Sequence, residues 1–289
     1  MVAGLAALAS AGPARAQALS HYLPTAVIDA GFAMTNRQGM VRMLQDRGVR
    51  CVFRYYAPAD QPERGLPDKV LRPAEARALW DAGISIGAVF QYNNDQLESI
   101  TAARGREDAK FAVDYAGGTI GQARGTAIYF GVDGSWAGTE HMAGVRAYFD
   151  SVSDVFAQAG RPYRIGAYGS GAVLEMLQGL GLIEFAWLAL SRGWPGTRAF
   201  YNAGRWNLFQ FSHHLKFGQN TVDGNAVNPF QAEIGAFGQN DPVEPVAFAD
   251  AFLLRDQFQF LSARKAPVYD RPGGEQIFEL TLAYNPIVL

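Results

Sequence analysis

Short apolar runs alternate with longer amphipathic stretches along most of this chain, and that alternation is the mark of repeated βα units around a parallel sheet. Eight runs read as strands: 26–32, 49–55, 84–91, 126–133, 163–168, 186–191, 206–211 and a short one at 221–223. Stretches with helical spacing lie between them at 37–47, 73–82, 106–117, 140–159 and 172–180, the second with Pro73 in its first turn. The later connections are poorer in helix signals, and one of them carries Gly193-Trp194-Pro195-Gly196. Eight strands in this order predict an α/β fold of the closed (β/α)8 TIM type rather than an open doubly wound sheet.

In such a barrel the chemistry sits at the C-terminal ends of the strands. Polar residues gather there in this chain. Asp29 follows Val27-Ile28; Arg54, Tyr55 and Tyr56 close the second strand; Gln91, Tyr92 and Asn93 close the third. Asp133 closes the fourth, Tyr168 the fifth, Gln210 the seventh and Asp223 the eighth. A row of aromatic, amide and carboxylate groups around one mouth suits a sugar, whose ring faces stack on aromatics and whose hydroxyls bond amides and carboxylates. Each residue also has a plainer reading: aspartates near turns cap or meet solvent, and tyrosines at strand ends can close a core.

Composition narrows the partners. Of 289 residues 49% are apolar and 18% charged, so a sizeable core is available, and the formal net charge is -2. No run of lysines and arginines interleaved with aromatics tracks a phosphate backbone, which argues against nucleic acid. Cys51 is the single cysteine and lies in an apolar segment, so it reads as a small hydrophobe, and an internal disulfide or a cysteine-based metal site is excluded. His213-His214 is not a metal pair on this reading, because neighbours on a strand point to opposite faces; a loop or core role fits better. Gly169-Ser170-Gly171 meets neither the dinucleotide-loop nor the nucleophile-elbow pattern.

The two ends read differently from the middle. Residues 1–16 are mostly small and apolar and end in Ala14-Arg15-Ala16 before Gln17, the form of a signal-peptidase site. They predict export, to the periplasm, the cell wall or beyond, and the lack of a charged start suggests that a longer signal precedes them; an ordinary N-terminal extension is the alternative. The stretch is shorter than the ~20 apolar residues that span a bilayer. At the other end, 245–261 reads as a helix, and Pro267-Val268-Tyr269 with Ile277-Phe278-Glu279-Leu280 as a hairpin too small to bury its own core. The expected plan is a signal at 1–16, a barrel over 22–240, and a helix plus hairpin over 241–289 packed on it.

Six segments carry a resemblance to a known family: Val27-Ile28-Asp29, Tyr129-Phe130-Gly131-Val132-Asp133, Ile165-Gly166-Ala167-Tyr168-Gly169-Ser170, Trp187-Leu188-Ala189, Trp206-Asn207-Leu208-Phe209-Gln210-Phe211 and Val222-Asp223-Gly224-Asn225. In this order they resemble the exported glycoside-hydrolase-like domains of unknown function, which are similar to the lysozyme-type glycoside hydrolases of family 25. The resemblance implies a carbohydrate-binding mouth with Asp133, Asp29 and Asp223 as its acids; the strand-end positions put Arg54, Tyr55, Gln91, Tyr168 and Gln210 around the substrate, with Ser135 in the loop after the fourth strand. No cofactor and no metal is expected.

In the lysozyme-type enzymes the fourth strand ends in Asp-x-Glu, whose Glu protonates the glycosidic oxygen. Here the triplet is Asp133-Gly134-Ser135. A serine hydroxyl does not donate a proton at neutral pH as a carboxylic acid of raised pKa does. Glu140 and His141 after the fourth strand, and Asp95 and Glu98 after the third, are the replacements to search. Two functions follow: a protein acting on a cell-envelope glycan, peptidoglycan or wall polysaccharide, by an acid other than residue 135, or a barrel that binds such a glycan without cleaving it.

Overall fold

The computed structural model describes residues 26–58, 68–92, 96–191, 193–228, 230–239, 265–269 and 276–281. Eight strands close a barrel in chain order. They are β1 (Val27–Asp29), β2 (Cys51–Tyr56), β3 (Ser85–Phe90), β4 (Ala127–Gly131), β5 (Arg164–Gly169), β6 (Phe185–Leu188), β7 (Leu208–Phe217) and β8 (Asn220–Val227). Six helices connect the first seven strands: α1 (Met40–Asp46), α2 (Pro73–Asp81), α3 (Ala102–Asp114), α4 (Thr139–Gln158), α5 (Gly171–Gly179) and α6 (Thr197–Asn202). The arrangement is a mixed α/β barrel of the TIM type.

Local chemistry sets several helix starts. Pro73 occupies the first turn of α2, where its missing N–H costs nothing. Thr101 caps α3 by accepting from the Arg104 amide, and Ser170 caps α5 by accepting from the Val173 amide at 3.3 Å. The serine of Gly169-Ser170-Gly171 is therefore a helix cap.

The last strand departs from a pure βα repeat. β1 to β7 pair in parallel, but β8 runs antiparallel to both β7 and β1. The sequence places a short strand at 221–223; the structure extends it to Asn220–Val227 and lengthens β7 to Phe217. Only Gly218 and Gln219 join the two, with Gly218 left-handed at φ 61°. A two-residue connection leaves no room for a crossover helix, so the chain must turn back on itself.

Alternation along the strands divides the core into two layers. Ile28, Val52, Ile86, Phe90, Ile128 and Phe130 point outward under the helices, whereas Val27, Phe53, Val89, Tyr129, Trp187 and Leu208 fill the barrel. Phe53, Tyr129 and Trp187 form a ring cluster with centroids 4.8 to 5.9 Å apart. Space for it comes from glycines paired across the ladder: Phe53 stands opposite Gly87 and Tyr129 opposite Gly166. A Cβ at Gly87 would lie 2.5 Å from the Phe53 ring, and one at Gly166 2.6 Å from that of Tyr129.

Residues 230–239 cross the N-terminal end of the barrel. Gly235 O accepts from Ala127 N, Ile234 O accepts from Tyr129 Oη, and Phe237 pairs with Ile86. That end is plugged, and the opposite end carries the polar residues. Near the C-terminus β9 (Lys265–Tyr269) and β10 (Gln276–Thr281) pair antiparallel, and β10 runs beside β7. The signal expected at 1–16 and the helix expected at 245–261 lie outside the described residues. Among the described residues no helix is long and apolar enough to cross a membrane.

Gly166→Ala forces a methyl into the Tyr129 ring, so it should lower stability by ~1–3 kcal/mol, read by denaturant unfolding; an unchanged midpoint would refute the packing account.

Candidate functional site at the C-terminal mouth

Inward-facing positions two apart continue past the apolar layer into a polar one. Val27 is followed by Asp29, Phe53 by Tyr55, Val89 by Gln91, Leu208 by Gln210, and Val227 is preceded by Asn225 and Asp223. On β4 the same step runs from Tyr129 through Gly131 to Asp133, just past the strand end. The structure therefore brings together Asp29, Asp133, Asp223, Tyr55, Gln91, Tyr168 and Gln210 at one end of the barrel.

Asp29 is the hub. It is 1% exposed and stands directly opposite Asp223 across the antiparallel β1–β8 pair. Tyr55 Oη donates to its Oδ1 at 3.0 Å, while Asn225 Nδ2 at 2.9 Å and Gln210 Nε2 at 3.3 Å donate to its Oδ2. Gln210 Nε2 also donates to Asp223 Oδ2 at 3.0 Å, so one amide bridges the two carboxylates. The amides are held in turn: Trp187 Nε1 donates to Asn225 Oδ1 and Tyr168 Oη to Gln210 Oε1, both at 2.8 Å.

Burial, and then the neighbouring charge of Asp223, push Asp29 up from an ordinary 3.8 to about 7, against the lowering effect of its three hydrogen bonds. Burial also raises the Tyr168 phenol well above its usual range, and the charges of Asp133, Asp29 and Asp223 add to that shift.

The rim is more open than this floor. Asp133, Gln91, Tyr168 and Asp223 are half-buried. Gln91 Nε2 donates to Asp133 Oδ2 at 2.8 Å, and Lys69, which lies over the Tyr55 ring with Nζ 4.1 Å from its centroid, reaches Gln91 Oε1 at 3.5 Å. His213 Nδ1 lies 3.3 Å from Asp223 Oδ2. That hydrogen bond holds the imidazole above its ordinary 6.5, with partial burial opposing it.

Two expected site residues are elsewhere. Arg54 is fully buried on the outer face of β2, where it forms a two-pronged ion pair with Glu75 of α2 at 2.8 and 3.1 Å and donates to Ala30 O. It faces the helices because it alternates with the inward Tyr55. Its role is to tie β2 to α2 and to the segment after β1. Ser135 is exposed in the loop after β4, and among the described residues it joins no hydrogen bond of the network.

None of the described replacement candidates joins a hydrogen bond of the network. Glu140 and Glu98 are exposed, and Asp95 lies outside the described residues. His141 lies in the first turn of α4 and is tied back to the loop before it, with Nδ1 2.7 Å from Ala137 O and its ring against Trp136.

Lys69, Trp187, Asn225 and His213 are site residues that the sequence reading did not assign. The first had no signal, since it precedes no recognisable strand end. Trp187 and Asn225 stood two positions from other inward residues and could have been found by extending the alternation.

The high Asp29 value sets a pH dependence. A carboxyl whose pKa rises on folding favours the fold below its ordinary value near 3.8 and loses that advantage as pH climbs through about 7. Wild-type melting temperature should therefore fall between pH 5 and pH 8, and Asp29→Asn should flatten that slope by ~2–4 °C or more. Equal slopes in a calorimetric series would contradict it.

Comparison with known proteins matches this architecture. The family model described as Rv2525c-like, glycoside hydrolase-like domain aligns with residues 42–231. The uncharacterized protein YbfG of Bacillus subtilis (strain 168) is 25% identical over 220 residues, 74% of this chain but 30% of YbfG, so the chain spans under a third of that relative. Among solved structures, the Tat-secreted protein Rv2525c of Mycobacterium tuberculosis, in complex with HEPES, superposes with a TM-score of 0.59 at 20% identity, covering 73% of this chain and 97% of that one. An uncharacterized B. stearothermophilus protein gives 0.52 at 13% identity, covering 73% and 98%. The two structural likenesses are of fold; the family match covers most of the barrel, and this chain belongs to the Rv2525c-like, glycoside hydrolase-like domain family.

Proposed function

We propose that this protein is exported and acts on a cell-envelope glycan, peptidoglycan or a wall polysaccharide, binding it across the C-terminal mouth and hydrolysing it around Asp133. The observation that carries the reading is the division of labour among the carboxylates. Asp29 is sealed by three donors, whereas Asp133 is half-buried at the rim with Gln91 orienting it. Asp133 and Asp223 are thus the carboxylates that a bound sugar meets, Asp133 being the one not tied to Asp29 by Gln210, and Tyr168 and Gln91 offer a ring and hydroxyl partners. Family membership supports the glycan class, and the Ala14-Arg15-Ala16 site together with a Tat-secreted relative in the family supports export.

The exposed Ser135 favours a second reading, a barrel that binds the glycan without cleaving it. One experiment separates the two. The protein is incubated with purified peptidoglycan and a set of wall polysaccharides, and both released reducing ends and co-sedimentation are measured. Hydrolysis predicts new reducing ends that fall ~10²- to 10⁴-fold in Asp133→Asn at unchanged melting temperature. Sedimentation without release supports the binding barrel, and an Asp133→Asn rate equal to wild type removes Asp133 from the chemistry.

A further inference from the structure

β7 is irregular in two places at the edge of the mouth, between Gln210 and Ser212 and between Ser212 and Leu215, the second being a bulge. Ser212 pairs with Gly224 and Leu215 with Val222, so two residues, His213 and His214, stand opposite the single residue Asp223. A bulge of this kind bends the strand and re-aims a side chain, and bulges concentrate beside active sites. Here it breaks the alternation. Phe211 and Leu215 pack in the outer layer, and regular spacing would send His213 with them. Instead its ring meets Asp223 through Nδ1. The side chain is 47% exposed, and among the described residues Nε2 has no hydrogen-bond partner.

The other proton carriers at the mouth are less well placed for donation; Lys69 is engaged with the Tyr55 ring and Gln91 Oε1. Asp29 holds a proton near neutral pH, but it is buried and both its oxygens are engaged. The Tyr55 and Tyr168 phenols are both raised well above their usual range by burial, which makes them weaker acids. The groups that act on His213 are Asp223 of β8, Asp29 of β1, Asp133 after β4 and the adjacent His214; β10, beside β7, carries Glu279.

We propose, resting on the hydrolytic reading above, that His213 is the general acid of this site, taking the role of the carboxylic acid missing at position 135. The glycosidic C–O bond breaks with its electron pair on the departing oxygen, which takes the proton from His213 Nε2. Water adds its oxygen to the anomeric carbon and gives a proton to Asp133. Solvent then reprotonates His213 and deprotonates Asp133, so one water is consumed per bond. Asp223 positions the imidazole and keeps it charged.

The test is His213→Gln in the full chain on purified peptidoglycan. Release of reducing ends should fall ~10²- to 10⁴-fold in kcat with KM held, and the alkaline limb of the wild-type kcat/KM profile, placed above pH 6.5, should vanish. If the variant melts early, the wild-type limb decides: it should persist in Asp29→Asn and move to lower pH in Asp223→Asn, and a limb lost in the first or unmoved in the second overturns the assignment. Release that is lost in Asp133→Asn yet unchanged in His213→Gln overturns the donor alone. A wild-type chain that sediments with the glycan and releases nothing overturns the hydrolytic reading and the donor with it.

Discussion

Two carboxylates face each other across the last seam of the barrel, and much of the mouth is arranged around that conflict. Asp29 and Asp223 are directly opposed residues on antiparallel strands, where like charges repel. The conflict is relieved in three ways at once. Asp29 is pushed up to about 7, so it carries less charge near neutrality. Gln210 bridges both carboxylates, and Asn225 and Tyr55 supply the remaining donors. Those donors are oriented by Trp187 and Tyr168, whose rings are part of the packed interior. The polar floor and the aromatic core are therefore one connected structure, and partial loss of either would leave buried polar groups unpaired.

This coupling explains the contrast between floor and rim. Such a hydrogen-bonded network is rigid, and it holds inward side chains of six strands, β1, β2 and β5 to β8, in fixed relative positions. Asp133 lies at the rim. It hangs from the end of β4 with Gln91 beside it, half-buried, where a ligand can reach it. The mouth thus pairs a rigid floor with a more accessible rim. The Arg54–Glu75 pair serves the same end from outside: it fixes β2 against α2 and holds the segment after β1 through Ala30 O and the Met34 amide.

Much of this was legible in the sequence, because the barrel is built from a period of two. The apolar runs marked the strands, and the aspartates, amides and tyrosines at their C-terminal ends were the inward polar layer: Asp29, Tyr55, Gln91, Asp133, Tyr168, Gln210 and Asp223. Local pattern could do this because strand pleat alone dictates which side chains share a face. Arg54 was misread because strand-end position was weighed without the pleat, which sets it opposite to Tyr55.

What the sequence could not decide was everything that depends on two strands meeting. That β8 runs backward, that Asp29 therefore faces Asp223, and that a bulge turns His213 inward are all consequences of register, and register is set by pairing across the barrel rather than by any one segment. The sequence by itself determined which residues were available at the mouth. Only the closed sheet decided which of them touch, because hydrogen-bond distances and the charge repulsion that tunes them exist only once the first and last strands are joined.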